Sequence, residues 1–210
     1  MTNFARTERR SLAALLRTVG PDAPTLCEGW TTRDLAVHLV IRDRRPDALA
    51  GNAFPALAGK SQLLQDRAAR AEAELTALPW EQLVGLVAAG APTWNPASWG
   101  PVDRLMNTAE FLVHHEDVRR AQPGWEPREL PWALHDRCFS LVRTMILPAA
   151  LKAGTHLVVE APGFGTTSAG RTGAATTTLR GTPVELLLWL FGRGDHARLE
   201  ISESSADRAR

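Results

Sequence analysis

Trp30-Thr31-Thr32-Arg33-Asp34-Leu35 is the stretch on which the reading of this chain turns, because it marks a helix start by side-chain chemistry alone. Thr31 is placed to accept from the backbone N–H of Asp34, and Asp34 to reach back to the N–H of Thr31. That capping box satisfies two donors that the first turn of a helix otherwise leaves bare. Trp30 and Leu35 stand at the two positions of a hydrophobic staple. The helix so started is expected to run to about Arg45, since Pro46 disfavours helical geometry in the residue before it. Leu35, His38, Leu39 and Arg42 then share one face, which sets an imidazole inside an apolar stripe.

Toward the N-terminus, Phe4, Leu12, Leu15, Leu16 and Val19 recur at helical spacing and predict a first helix ended by Gly20-Pro21. Toward the C-terminus, further helices are expected over 61–77, over a shorter piece at 80–89, over 101–120 opened by Pro101, and from Pro131 to about Lys152. Pro148 is expected to kink or shorten the last of these. Gly90–Gly100 (GAPTWNPASWG) reads as a loop, an unusually aromatic one, and Ala121–Leu130 as a linker. After Gly154 the pattern changes. Thr155–Ala161, Gly173–Arg180 and Ala197–Ser202 are predicted strands, and Gly181-Thr182-Pro183 opens a short helix between the last two. No internal repeat is visible. The expected architecture is mainly α: a four-helix bundle over residues 1–127, then a small α/β unit over 128–210.

The bulk properties narrow the function. The chain has 210 residues, 44% of them hydrophobic and 22% charged, with a formal net charge of +1. That is an ordinary globular composition with enough chain to bury a core, and interspersed charges give no reason to expect nucleic acid or an anionic membrane as partner. No apolar run approaches the roughly 18 residues needed to span a bilayer. The first residues read as an amphipathic helix and not as a signal peptide. Cys27 and Cys138 lie far apart in different kinds of segment, which suits a reducing cytoplasm better than a disulfide framework.

The chemistry concentrates on the helix expected over 101–120. Asn107, Glu110, His114 and Asp117 follow one another at three- and four-residue spacing and share a face. A core-facing stripe should be apolar, so this one is either a solvated charge run or is organised around something that needs it. If it and the His38 face both point into the bundle, two imidazoles and a carboxylate converge. Three such ligands leave a position open, which is the catalytic form of a zinc site, and bundles commonly build metal sites on facing helices. His115 points away by about 100° and is expected at the surface or behind the ligands. His135, His156 and His196 are taken as structural.

The segment LCEGWTTRDLAVHLVIRDRRPDA, followed much later by NTAEFLVHHEDVRRA, resembles the DinB-like metal-binding bundle of the mycothiol-dependent maleylpyruvate isomerase family, in particular an actinobacterial branch of it. The resemblance implies a divalent metal, usually zinc, held by His38, Glu110 and His114; nickel would accept the same donors. The segment GTPVELLLWLFGR resembles that family's small C-terminal domain and implies that Arg193 helps to bind or polarise substrate. The family's isomerase reaction itself is not carried over.

Three functions fit these residues. In the first, the metal binds and ionises a low-molecular-weight thiol such as mycothiol, which adds to a small electrophilic, anionic substrate in isomerisation or S-transfer. Arg193 would anchor a carboxylate, and Asn107 and Asp117 would orient the ligands. In the second, bound water is the nucleophile of a hydrolase, with Glu116 or Asp117 as general base. In the third, the chain is a non-catalytic metal- or thiol-binding stress-response module, with Trp94 and Trp99 as a ligand wall or as plain packing. Cys27 reads as a buried small hydrophobe more readily than as a nucleophile. The active cleft is expected between the two units, with Arg193 facing the metal.

Overall fold

The computed structural model describes residues 3–45, 62–92, 100–171 and 173–205. The aromatic loop residues Trp94 and Trp99 fall outside them. The chain divides into two compact units, Met1–Glu126 and Pro127–Arg210.

The first unit is helical, with α1 Phe4–Val19, α2 Thr32–Arg44, α3 Gln62–Thr76, α4 Trp80–Ala89 and α5 Gly100–Arg120. The capping box that opens α2 is present: Thr31 N–H donates to Asp34 Oδ2 at 2.8 Å and Asp34 N–H to Thr31 Oγ1 at 3.4 Å. The helix stops at Arg44, one residue inside the limit that Pro46 sets. The N-terminus of α1 is capped by Asn3, whose side chain accepts from Arg6 N–H at 3.1 Å.

α1 packs on α5 and α4, and α2 packs on α4 and α3. Leu12 and Leu16 from α1, Leu35 and Leu39 from α2, Leu83 from α4 and Phe111 from α5 are all fully buried in one core. Each such side chain contributes about 1.5–3 kcal/mol by leaving water. Polar contacts also cross this core. Glu8 on α1 meets His115 Nδ1 on α5 at 2.9 Å, both residues being almost wholly buried. Arg9 pairs with Asp43 of α2, lies 4.0 Å from the centre of the Phe111 ring and donates to the Val87 carbonyl at 3.3 Å. Gly90, at φ 73, ends α4 where a Cβ would meet Arg9 Nη1 at 2.7 Å, so a glycine makes room for that guanidinium.

The second unit holds α6 Trp132–Ala153, β1 His156–Ala161, β2 Gly165–Ala169, β3 Thr176–Arg180, α7 Pro183–Leu190, a single 3-10 turn at Gly194–His196 and β4 Glu200–Ser204. The sheet order is β2-β1-β3-β4. β1 runs antiparallel to β2 (Val159 opposite Thr167) and parallel to β3 (Val159 opposite Leu179), and β3 runs antiparallel to β4. Leu157, Val159 and Ala161 alternate into the core, as one-sided burial requires. α6 packs on α7 and across β1 and β2.

The whole is a helical bundle followed by a small α/β unit, as expected. Details differ. α6 continues through Pro148 without stopping. β2 has no counterpart among the predicted strands: Gly165-Thr-Thr-Ser-Ala is polar and lies mostly exposed, so it carries no alternation to read. The last strand starts at Glu200 instead of Ala197, because the 3-10 turn occupies the preceding residues and Arg198 N–H is held by Glu185 Oε2 at 2.8 Å.

Candidate metal centre

α2 and α5 present their polar faces to each other. His38 Nε2 lies 3.3 Å from Glu110 Oε1, and His114 Nε2 lies 3.3 Å from the same oxygen. One donor atom from each of the three residues falls within 4.8 Å of the other two. The rings of His38 and His114 stand edge to face, with centroids 5.4 Å apart. So the three residues singled out in the sequence are brought together.

The separations bear on what the group can hold. Around a tetrahedral ion with bonds of roughly 2.0–2.1 Å, neighbouring donors lie about 3.3 Å apart. A charge-assisted hydrogen bond would draw the same atoms to about 2.7–2.9 Å. The two separations from Glu110 Oε1 match the first. Two imidazoles and a carboxylate are also a donor set that zinc and its neighbours accept. The residues therefore fit a divalent ion.

The surroundings hold the donors in position. Asp117, fully buried, lies with Oδ2 2.9 Å from His114 Nδ1. A carboxylate can only accept, so Nδ1 carries the proton and Nε2 faces Glu110. Burial by itself would push the pKa of His114 down, but the hydrogen bonds with Asp117, Cys27 and Glu110 outweigh it and hold it well above the ordinary value. Burial would likewise raise Glu110. Hydrogen bonds from His114 and His38, with the charge of Arg42, instead keep its carboxyl far below the usual carboxylate range.

Other expected roles are corrected. The stripe on α5 is no solvated charge run, since Asn107 and Asp117 are buried and Glu110 and His114 half-buried. His115 is neither at the surface nor behind the ligands, but is taken up by Glu8 across the bundle. Glu116 receives Arg120 Nε at 2.7 Å and Arg119 Nη1 at 3.2 Å. Together with the engagement of Asp117, this leaves neither carboxylate placed as a general base. Asn107 Oδ1 accepts from Arg42 Nη2, and Arg42 in turn meets Glu110.

Three residues enter the site that the sequence had not put there. Arg42 Nε lies 3.4 Å from Glu110 Oε1. Trp30, a staple residue by position, sets its ring 5.3 Å from that of His38 while staying 38% exposed, a wall beside the centre. The Cys27 thiol donates to Asp117 Oδ2 at 3.3 Å and lies 4.0 Å from His114 Nδ1. Cys27, His114 and Asp117 form a second donor group, on the opposite edge of the same imidazole. Arg193 belongs to the second unit, where it caps the 3-10 turn and donates to the Phe191 carbonyl at 2.5 Å. None of His135, His156 and His196 belongs to a metal-capable group among the described residues. No described helix is long and apolar enough to cross a membrane.

No family's sequence pattern matches the chain, and no curated protein matches it. Two solved structures do resemble it: a mycothiol-dependent maleylpyruvate isomerase and a histidine-to-alanine variant of that enzyme. Each aligns over 97% of this chain and 91% of the other, with a TM-score of 0.61 and 15% identity. At that identity the likeness is one of fold.

Proposed function

We propose that the chain is a thiol-dependent, metal-dependent enzyme, an isomerase or S-transferase acting on a small electrophilic substrate with an anionic group. The observation that carries the reading is the convergence of three donors, each within 4.8 Å of the other two, in a fold similar to that of a mycothiol-dependent isomerase. His38, Glu110 and His114 would hold the ion, zinc by preference, through Nε2, Oε1 and Nε2. A divalent ion there supplies Lewis acidity enough to ionise a low-molecular-weight thiol such as mycothiol near neutral pH.

The chain's own residues do the remainder. Asp117 keeps His114 in the tautomer that offers Nε2, and Cys27 in turn donates to Asp117. Trp30 gives one side of the site an apolar wall against which a thiol or a planar substrate can pack. Arg193 takes the substrate's anionic group through its planar fork. The hydrolase alternative loses support, because neither Glu116 nor Asp117 is placed to serve bound water.

The test is reconstitution of the purified protein with cobalt, a spectroscopic stand-in for zinc, and then addition of a thiol. One ion per chain, lost in His38→Ala, with a thiolate-to-metal charge-transfer band on adding thiol, supports the reading. A chain that retains no metal overturns the centre altogether. A loaded centre without the thiolate band would instead favour a non-thiol role for it.

A further inference from the structure

Arg42 sits one turn beyond His38 on α2, and its position is built. Its Nη2 donates to Asn107 Oδ1, its Nη1 lies 3.5 Å from Asp43 Oδ1, and its Nε lies 3.4 Å from Glu110 Oε1. The Asp43 charge already has an answer in Arg9, which pairs more closely with it. The carboxylate that Arg42 is left to answer is Glu110, a would-be ligand. In the protein without metal, the guanidinium thus occupies part of the role that a cation would play there.

The arrival of a cation changes the charge balance of these connected groups. With neutral imidazoles, as ligation requires, the positive charges among the described residues of this network are Arg9 and Arg42, to which the divalent ion adds two. The negative charges are Asp43, Glu110 and Asp117. One unit of positive charge is left over, beside a coordination position that three protein ligands leave open. The side chain of Arg42 remains 22% exposed, so a ligand from solvent can reach it.

We propose that Arg42 couples the metal to a second ligand: a monoanion, of carboxylate class, that bridges the open coordination position and the guanidinium. This rests on the metal reading above; the anion and the thiol of that reading are alternative occupants of the one open position. Arg42 repels the bare ion and competes for Glu110, so it weakens metal binding in the absence of an anion. Once a carboxylate enters, the guanidinium edge that Glu110 gives up to the metal can donate to it. Metal and anion then bind cooperatively, and by linkage each strengthens the other by the same factor.

The experiment is calorimetric titration of the metal-free full chain with zinc, with and without acetate, for wild type, Arg42→Met and Arg42→Lys. Acetate should tighten zinc on wild type by about tenfold, within the usual range of such couplings. Arg42→Met should bind zinc more tightly than wild type without acetate and show no acetate effect. Arg42→Lys, which keeps the charge and loses the fork, should bind zinc as weakly as wild type with a reduced acetate effect; it also serves if the methionine variant fails to fold. An equal acetate effect in all three, or zinc binding indifferent to residue 42, overturns the proposal while leaving the metal centre standing. No zinc on wild type under any condition overturns the centre and this inference with it.

Discussion

Asp117 Oδ2 and His114 Nδ1 lie 2.9 Å apart in a buried contact, and this pair, one turn along a single helix, decides which edge of the imidazole faces α2. Removing the carboxylate frees the ring to turn over or to change tautomer. Asp117→Ala should therefore weaken zinc binding by about 10–100-fold, the usual effect of losing such a partner. Competition against a chelator of known affinity measures it. An unchanged affinity would mean that packing alone orients His114.

The raised pKa of His114 gives metal binding a sign with pH. Its proton must leave before Nε2 can ligate, so affinity should climb by up to about tenfold per pH unit while the pH lies below that raised value. Stability of the metal-free form runs the other way. A raised pKa contributes stability that is fully present below the unfolded-state value, near 6.5, and is lost as pH rises through the folded one. Urea denaturation at pH 6 and pH 8, with zinc and with chelator, should show the gap between loaded and metal-free protein widening at the higher pH. A gap that narrows would contradict the assigned protonation.

Arg193→Ala should leave metal content at one ion per chain while lowering turnover or the affinity of an anionic ligand. His38→Ala should abolish both. Metal analysis beside a binding assay separates the two, and equal metal loss in both variants would remove the arginine from substrate binding.

Glu8→Ala takes the hydrogen-bond partner from a buried imidazole and should destabilise the first unit by about 1–3 kcal/mol, the usual cost of leaving such a group unsatisfied. Replacing both partners with leucine should recover much of that loss. Denaturation midpoints of the single and double variants check it.

In the second unit, Gly170 holds φ at +121°, and a Cβ there would come 2.3 Å from the Thr155 carbonyl oxygen. Backbone cannot give way as a side-chain tip can. Gly170→Ala should lower stability by well over the roughly 1 kcal/mol expected from a strained φ alone. A fall confined to that figure would mean the two segments can separate at little cost.

The helical half of the fold is legible in the sequence because its signals are local. Thr31 with Asp34 marks one start, Gly20-Pro21 one stop, and the 3.6-residue spacing of apolar residues fills the interval. The candidate ligands are legible for a related reason, since Glu110 and His114 are neighbours on one helix and His38 interrupts an apolar face. The features that sequence does not betray depend on tertiary approach. Cys27 precedes its helix and reaches Asp117 only because Leu26 N–H is hydrogen-bonded to the Asp117 carbonyl at 3.0 Å. Arg42 acquires its part from Asn107 and Glu110, which lie 65 and 68 positions later. His115 points outward by helical phase, but α1 covers that side of α5 and supplies Glu8. Strand β2 leaves no mark because a polar edge strand has no buried face to impose a period.

The Glu8–His115 contact also works as a registration pin between α1 and α5. Leucine against leucine is tolerant, and two greasy helices can slide by a turn and still find company. A buried carboxylate and an imidazole have a single mutual fit, and any slippage strands both. With the alignment of α1 and α5 secured in this way, a change of size at a surrounding apolar position alters local packing without shifting one helix along the other. The residues beside the pin, His114 among them, are thereby held at a fixed height along the bundle.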